Sequence, residues 1–196
     1  MKRLVLATSN LGKAKEIQAA LPEVLVETLR DHPSLILPEE TGATFAENAV
    51  LKAVHAAQVL GLPALADDSG LVVDALSGAP GVHSARYAPG SDADRSAKLL
   101  VALHGVPDHA RAARFVCALA WVVPGAPPVV VEGKVEGRIG HTPRGAGGFG
   151  YDPVFLVGPD HQRTMAELPV EEKNRVSHRG NALLALLPTL KAYFFA

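Results

Sequence analysis

The chain has 196 residues, a length that favours one domain over two. Hydrophobic residues make up 48% of it, enough for a sizeable core, and the net charge of −1 excludes an overall basic field for nucleic acid. No run of about 18 apolar residues is present, which excludes a membrane-spanning helix. The chain has one cysteine, which excludes an internal disulfide and a thiolate-rich metal site.

The first part of the chain alternates between strand and helix patterns. Residues 3–8 predict a buried strand, residues 13–21 carry apolar side chains at helical spacing, and residues 24–29 predict a second strand. The apolar start is too short for a signal peptide and no cleavage site follows it. We therefore expect a cytoplasmic protein.

A second helix is predicted to begin after Thr44 and to end at Leu60. Thr44 has Glu47 three residues on, which is the spacing of a capping box, and Gly61 marks the end. The preceding residues, 31–42, contain two prolines and three acids and predict a loop.

The rest of the chain gives a mixed pattern. Two long β-rich runs are joined by turn residues, and helices lie on either side of them in the sequence. The predicted elements are strands at 64–66, 71–76, 112–123, 128–137 and 153–157, a helix at 92–104, and a closing helix from Glu171. We therefore predict an α/β fold with a mixed sheet and flanking helices, formed by residues 1–196 as one domain.

Asp67 and Asp68 are adjacent acids between two apolar segments. Carboxylates in such a setting repel each other and lose hydration, at a cost of roughly several kcal/mol unless a cation or donors compensate. The pair, followed by Ser69, predicts a divalent metal site at a strand edge. Glu39 and Glu40 are either solvated loop residues or further oxygen ligands for Mg²⁺.

Two polar segments leave two interpretations open. Residues 8–13 join a strand to a helix, where free N–H groups and Lys13 favour a phosphate, but a plain corner capped by Asn10 fits equally well. Asn48 and Lys52 share the polar face of the second helix, which either is solvated or offers both side chains to an anion.

A glycine-rich segment, residues 145–150, matches G-x-G-x-x-G. A dinucleotide site would require a helix directly after it, and Pro153 disfavours that helix, so we reject this interpretation. The segment predicts either a structural turn or a loop that presents Phe149 and Tyr151 for stacking on a base and Asp152 as an acceptor.

Basic side chains gather where the closing helix begins. Lys173, His178 and Arg179 lie close together in the sequence, with Ser177 as the expected N-cap. They form either a surface patch or a set of donors for a base carbonyl and a phosphate.

These segments, in this order, resemble the inosine triphosphate pyrophosphatase family, whose members remove deaminated purine nucleotides. The resemblance extends over nearly the whole chain. The matching stretches are residues 8–13, 44–53, 66–71, 78–81 with 84–87, 147–153, and Lys173 with 177–179.

The resemblance implies a hydrolase with an elongated mixed sheet and two lobes around a central nucleotide cleft, assembled as a homodimer. It implies Mg²⁺-dependent conversion of ITP, dITP and XTP to the monophosphate and pyrophosphate. Asp68 would be the proton acceptor and a metal ligand, with Glu39, or its neighbour Glu40, as a second ligand. The implied substrate-binding residues are Thr8, Ser9, Asn10, Lys13, Lys52 and Ser69 for the triphosphate, and Phe149, Gly150, Tyr151, Asp152, Lys173, His178 and Arg179 for the base.

The expected reaction is attack of water on the α-phosphorus, with Asp68 as the base and Asp67 and Glu39 helping to hold the metal. Lys13 and Lys52 would neutralise charge on the departing pyrophosphate. A donor aimed at the 6-oxo group of the base would be left unpaired against adenine, which gives a source of specificity.

Other functions are less well supported by the sequence. Related pyrophosphatases of pyrimidine or modified nucleotides have an opening Ser-x-Ser-Pro-Arg-Arg loop that is absent from this chain. A nucleotide-binding regulator has no need for an acidic pair that is costly to bury. A nucleic-acid-binding module would need a broad basic face.

Overall fold

The strands and helices alternate along the first half of the chain and then give way to a hairpin and short elements. The computed structural model describes residues 2–195, and of Gly12, Glu16, Val170 and Asn174 only the backbone. The strands are β1 (Arg3–Leu6), β2 (Leu25–Glu27), β3 (Ala64–Val73), β4 (Ala112–Val122), β5 (Val129–Ile139), β6 (Phe155–Val157) and β7 (Arg163–Thr164). The helices are α1 (Leu11–Ala20), α2 (Phe45–Leu60), α3 (Asp92–Ala102), α4 (Val170–Val176) and α5 (His178–Phe195), with short 3₁₀ turns between them.

The seven strands form one mixed sheet in the order β2-β1-β3-β4-β5-β6-β7. β1 is parallel to both of its neighbours, with Arg3 opposite Leu25 and Val5 opposite Ala64. β6 is antiparallel to β5 and to β7. The predicted α/β fold with a mixed sheet is therefore confirmed.

The chain divides into two compact units. Unit 1 comprises the residues up to Asp68, Cys117–Gly133, and the residues from Ala182 onward. Unit 2 comprises Ser69–Val116 and Lys134–Asn181. The expectations of a single domain and of a nucleotide cleft stay predictions.

The core of unit 1 packs the apolar face of α5 against strands and α1. The face repeats at helical spacing, so Leu186 and Leu190 are completely buried whereas Leu184 is 64% exposed. Trp121 and Leu119 of β4 belong to the same cluster, as does the cysteine, Cys117, which is a packed small hydrophobe as its strand context predicts.

The core of unit 2 is built around Phe155, Ile139 and Leu99, all of which are buried. Beside it, Arg111 is only 3% exposed. Its guanidinium group donates hydrogen bonds to the carbonyl oxygens of Leu103, Val106, Ile139 and Gly140, at 2.7–3.4 Å. This single side chain therefore ties the end of α3 to the end of β5.

The predicted capping of α2 is confirmed. The Thr44 hydroxyl accepts a hydrogen bond from the Glu47 backbone N–H at 3.1 Å, and the Glu47 carboxylate accepts from the Thr44 N–H at 3.2 Å. Gly61 ends the helix in the left-handed conformation, with φ of +63°.

Most predicted bounds differ from the structure by a few residues, and three elements differ in kind. β3 runs unbroken from Ala64 to Val73, so the aspartate pair lies inside a strand and not at the edge of one. The predicted closing helix is two helices, because Ser177 is extended (ψ 147°) and its hydroxyl accepts from the N–H of Gly180 at 3.0 Å. Strand β7 was not predicted, since two residues carry no periodicity.

None of the described helices is both long and apolar enough to cross a membrane.

We expect Leu186→Ala to lower the free energy of unfolding by about 2–5 kcal/mol, because it leaves a cavity in the core of unit 1. Leu184→Ala, on the exposed face of the same helix, is the matched control and should change it by less than about 0.5 kcal/mol. Urea unfolding followed by circular dichroism measures both. Equal losses in the two variants would contradict the assignment of the buried face.

Candidate functional site

Asp67 and Asp68 lie at consecutive positions of β3, so their side chains leave opposite faces of the strand. Asp67 is buried, with 5% exposure, and its Oδ2 atom is 2.6 Å from the Lys13 Nζ atom of α1. Asp68 instead contacts side chains of α2. Each carboxylate thus has a lysine near it, Lys13 for Asp67 and Lys52 for Asp68, and a metal site shared by the two acids stays a prediction.

The Asp68 carboxylate is held between an amide and an ammonium group. Asn48 Nδ2 donates to Asp68 Oδ2 at 3.1 Å, and Lys52 Nζ is 3.6 Å from Asp68 Oδ1. Lys52 also donates to Glu40 Oε1 at 2.7 Å, so it lies between two carboxylates. Since Asn48 and Lys52 are both buried, the solvated-face interpretation of α2 is wrong for these two residues.

Gly42 orients the amide of Asn48. Its backbone N–H donates to Asn48 Oδ1 at 2.8 Å, which turns the Nδ2 group toward Asp68. A Cβ atom at Gly42 would lie 2.7 Å from that same oxygen, so a glycine is required for this close approach.

The pKa of Asp68 is raised above its ordinary value. Burial of the carboxylate is the largest cause, and the neighbouring charges of Glu40 and Asp67 act in the same direction. Lys52 and the hydrogen bond from Asn48 partly oppose the rise. An additional positive charge near Asp68 would therefore stabilise its ionised form.

Glu40, and not Glu39, faces this centre. Glu40 is half-buried against Lys52, whereas the side chain of Glu39 is exposed. Glu40 and Asp68 supply hard oxygen donors that suit Mg²⁺, which takes only one or two protein carboxylates. Among the described residues there is no group of three or more histidine, cysteine or acidic side chains that could hold a metal.

The segment before α1 is a capped corner. Thr8 Oγ1 accepts from the N–H of Asn10 at 3.2 Å, and Asn10 Oδ1 accepts from the N–H of Lys13 at 3.4 Å. Ser9 and Asn10 are exposed at the start of the helix. The corner interpretation is confirmed, and phosphate binding at this position stays a prediction.

Unit 2 contains a cavity of about 170 Å³. It is lined by side chains from β3, β4, α3, α5 and the glycine-rich loop, which gives it both aromatic and charged walls. The lining residues are Ser69, Gly70, Ser84, Ala85, Asp92, Arg95, Phe115, Phe149, Gly150, Tyr151, Asp152 and His178. Ser69, Phe149, Gly150, Tyr151, Asp152 and His178 were predicted as substrate-binding residues.

Asp152 organises the glycine-rich loop. Its Oδ2 atom accepts from the N–H of Phe149 at 2.8 Å and from Lys173 Nζ at 2.6 Å. The Lys173 ammonium group also lies 4.7 Å from the centre of the Phe149 ring, which is a cation–π distance. Gly148 has φ of +76°, and a Cβ atom there would lie 2.1 Å from Asp152 Oδ2, so the loop needs glycine to close around the carboxylate.

Tyr151 and Phe149 have different environments. Tyr151 is buried and its hydroxyl donates to the Ser84 carbonyl oxygen at 2.8 Å, while burial raises its pKa to about 12. Phe149 is 56% exposed. Phe149 is therefore the ring with a free face, and Tyr151 anchors the loop to unit 2.

The basic residues at the start of α5 do not form a surface patch. Arg179 is buried with 6% exposure, and His178 is half-buried and stacked on Phe115, with ring centres 5.1 Å apart and planes inclined by 17°. The patch interpretation is wrong for these two residues.

The structure therefore groups the predicted residues into two sets. In unit 1, Lys13 contacts Asp67, and Lys52 lies beside Asp68 and Glu40. In unit 2, residues 149–152 and His178 line the cavity, with Lys173 bound to Asp152. Six lining residues were not predicted as site residues: Gly70, Ser84, Ala85, Asp92, Arg95 and Phe115. The only sequence signal for them was the position of Asp92 at the start of a predicted helix and of Gly70, Ser84 and Ala85 in matched motifs.

Comparison with known proteins gives full-length matches. The model of the Ham1 family matches residues 4–189. The dITP/XTP pyrophosphatase of Geobacillus kaustophilus is 56% identical over 190 residues, which cover 95% of this chain and 93% of the relative. That of Pseudomonas aeruginosa is 54% identical over 190 residues, covering 95% of each chain.

Solved structures agree with these matches. A HAM1 protein from Coxiella burnetii superimposes with a TM-score of 0.91 at 47% identity, covering 98% of this chain and 100% of that one. A nucleoside-triphosphatase / dITP/XTP pyrophosphatase from Mycobacterium abscessus gives a TM-score of 0.81 at 47% identity, covering 95% and 99%.

We expect Asp68→Asn to stabilise the metal-free chain increasingly as the pH rises from about 3 to 7. Because the folded-state pKa of Asp68 is raised, the folded chain binds more protons than the unfolded chain between the two pKa values, so Asp68 lowers stability as the pH rises through that window. Urea unfolding at a series of pH values, with chelator present, measures the difference between variant and parent.

Asp31→Asn is the control with the opposite sign. Hydrogen bonds from the backbone and side chain of Thr28 lower the pKa of Asp31, so this variant should lose stability relative to the parent as the pH rises. A stability difference for Asp68→Asn that stays constant across the range would contradict the raised pKa.

Proposed function

Because this chain belongs to the Ham1 family, we propose that it hydrolyses ITP, dITP and XTP to the corresponding monophosphate and pyrophosphate. Its curated relatives carry the name dITP/XTP pyrophosphatase at about half identity over nearly the full chain. The observation that carries the proposal is the partly buried Asp68 carboxylate, which accepts a hydrogen bond from Asn48, lies beside Lys52 and has a raised pKa. Hydrolysis of these triphosphates would remove deaminated purines before they enter DNA and RNA.

We propose that Asp68 is the base. A carboxylate with a raised pKa accepts a proton more readily, and the hydrogen bond from Asn48 leaves its orientation fixed. Water would attack the α-phosphorus, a new P–O bond would form, and the bond to the bridging α–β oxygen would break. The water proton passes to Asp68, and the bridging oxygen leaves with pyrophosphate.

The acidic centre suits Mg²⁺. Glu40 and Asp68 both flank Lys52, and the Glu40 charge contributes to the raised pKa of Asp68, so a divalent cation held by these carboxylates would relieve their repulsion. When bound, Mg²⁺ would neutralise negative charge on the phosphate oxygens. We propose Asp68 and Glu40 as its ligands; the expected ligand Glu39 is less well supported, because its side chain is exposed.

The two lysines would act on the triphosphate. Lys52 is buried between Glu40 and Asp68, and Lys13 is anchored by Asp67, so each ammonium group has a fixed position with little conformational entropy left to lose. Charge on the departing pyrophosphate would be stabilised by both. Thr8, Ser9 and Asn10 would add hydroxyl, amide and backbone donors at the start of α1, and Ser69 a hydroxyl at the position after Asp68.

The cavity of unit 2 would take the base. The exposed ring of Phe149 offers stacking, Asp152 offers an acceptor for ring N–H groups, and His178 offers a donor for the 6-oxo group. Arg179, the next residue along α5, is buried outside the cavity lining and is proposed as a second donor. Adenine carries a 6-amino donor in place of that oxygen. It would leave a buried donor unpaired, at a cost of roughly 1–3 kcal/mol.

We further propose that the chain acts as a cytoplasmic homodimer and that it binds neither nucleic acid nor membranes. The net charge of −1 supports the lack of nucleic-acid binding, and the dimer rests on the family resemblance.

We expect the parent enzyme to hydrolyse ITP, dITP and XTP at least about ten-fold faster than ATP or GTP, measured as pyrophosphate release with the nucleotide held below KM. Asp68→Asn should lose at least about 100-fold in kcat, because the variant has no general base to accept the water proton. It should still bind ITP by calorimetry, because the pocket for the purine ring is intact. Retained turnover in this variant would remove Asp68 from its role. Release of single phosphates would point to an ordinary phosphatase.

The adjacent acids Glu39 and Glu40 provide a matched test of the metal site. We expect Glu40→Gln to raise the Mg²⁺ concentration for half-maximal activity by about ten-fold or more, since it removes one of two charged ligands. Glu39→Gln should leave it within about two-fold of the parent. Titration of Mg²⁺ at saturating ITP measures both, and a reversed order of the two effects would restore Glu39 as the ligand.

A further inference from the structure

Helix α3 holds the glycine-rich loop at Gly150. The N–H of Gly150 donates to Asp92 Oδ2 at 2.7 Å, and the Gly150 carbonyl oxygen accepts from Ser96 Oγ at 3.4 Å. The peptide bonds on both sides of Gly150 are thus held by residues one turn apart on the same helix. Asp92 and Ser96 were not among the predicted site residues.

Asp92 is itself held in place. Its Oδ1 atom pairs with the Arg95 guanidinium group, which also donates to the Gly90 carbonyl oxygen at 3.0 Å. The hydrogen bond from Gly150 and the contact with Arg95 lower the pKa of Asp92, so its carboxylate stays ionised through the neutral range. An ionised acceptor makes a stronger hydrogen bond to a backbone N–H than a neutral one does.

The position that Asp92 fixes is special in the loop. Gly150 has φ of +62°, in the left-handed region, and it separates Phe149, which has the free ring face, from Tyr151, which is anchored to Ser84. The turn between Phe149 and Asp152 is closed by its own hydrogen bonds. The hydrogen bond from the Gly150 N–H to Asp92 therefore attaches this turn to α3 at the residue next to the Phe149 ring.

We propose that Asp92 is a positioning residue for binding of the purine ring. Through the Gly150 N–H it fixes the loop of residues 149–152 in the conformation that stacks Phe149 on the substrate. This inference rests on the proposed function. It adds a role for Asp92 that requires no contact with the reacting phosphate. Its loss should weaken ground-state binding of the base and leave the chemical step, which depends on Asp68, almost unchanged.

The experiment compares Asp92→Ala and Asp92→Asn with Asp94→Asn. Asp94 lies on the same first turn of α3, where it accepts hydrogen bonds from the N–H and hydroxyl of Ser91, with no contact to Gly150. It therefore reports the effect of weakening the helix start alone. Asp92→Asn keeps an acceptor for the Gly150 N–H and should restore part of what Asp92→Ala loses.

We expect Asp92→Ala to raise KM for ITP about ten-fold with kcat within about two-fold of the parent, and Asp92→Asn to give a smaller rise. Asp94→Asn should leave KM unchanged even where it lowers Tm. An equal rise in KM for Asp94→Asn and Asp92→Ala would overturn the proposal, because the effect would then be one of helix stability.

Amide hydrogen exchange gives a readout that does not depend on activity. In Asp92→Ala without nucleotide, residues 149–152 should exchange faster than in the parent, whereas in Asp94→Asn they should exchange at the parent rate. Unchanged exchange in Asp92→Ala would overturn the positioning role. A parent enzyme without ITP turnover would instead refute the proposed function, and the exchange rates would still decide whether Asp92 holds the loop.

Discussion

The pleat of β3 is the constraint on which the acidic site depends. Adjacent residues of a strand face opposite sides, so the side chains of the consecutive acids Asp67 and Asp68 leave the strand in different directions. Each carboxylate is matched by a lysine from a different helix, Lys13 of α1 and Lys52 of α2. Lys13 lies 2.6 Å from Asp67 Oδ2, while Lys52 is 3.6 Å from Asp68 Oδ1 and the pKa of Asp68 stays raised.

Sequence reasoning succeeded where the signal is local. The capping box of Thr44 and Glu47 and the left-handed Gly61 define both ends of α2, and all of these interactions span at most four residues. It failed at β3, where aspartates have low strand propensity and the pair was taken as a break between two strands. The compensating contact from Lys13 to Asp67 joins residues 54 positions apart, which no local pattern reveals.

The candidate site shows the same division. The motifs and the family resemblance were enough to name Asp68, Lys52 and the loop of residues 149–152 as candidates, because the motifs carry these residues directly. It could not choose between Glu39 and Glu40, since adjacent loop acids look alike until one of them is seen against Lys52. Asp92 was missed for a related reason. It accepts a hydrogen bond from the backbone N–H of Gly150, and a contact with a backbone group requires no particular side chain at the partner position that a sequence pattern could reveal.

The two groups of residues divide the work of the proposed reaction in a way that follows from their chemistry. Every nucleoside triphosphate presents the same α-phosphorus, so Asp68 and the lysines cannot distinguish inosine from adenosine. Discrimination must come from groups that meet the base, and the proposed site for the base is the aromatic and charged cavity of unit 2. Since kcat/KM includes both binding of the base and stabilisation of the transition state, rigidity of the glycine-rich loop would contribute to selectivity in the proposed reaction even though it adds nothing to proton transfer. A loop of several glycines pays a large entropic cost when it is ordered, and anchoring at Gly150, Tyr151 and Asp152 removes most of that cost before the nucleotide binds.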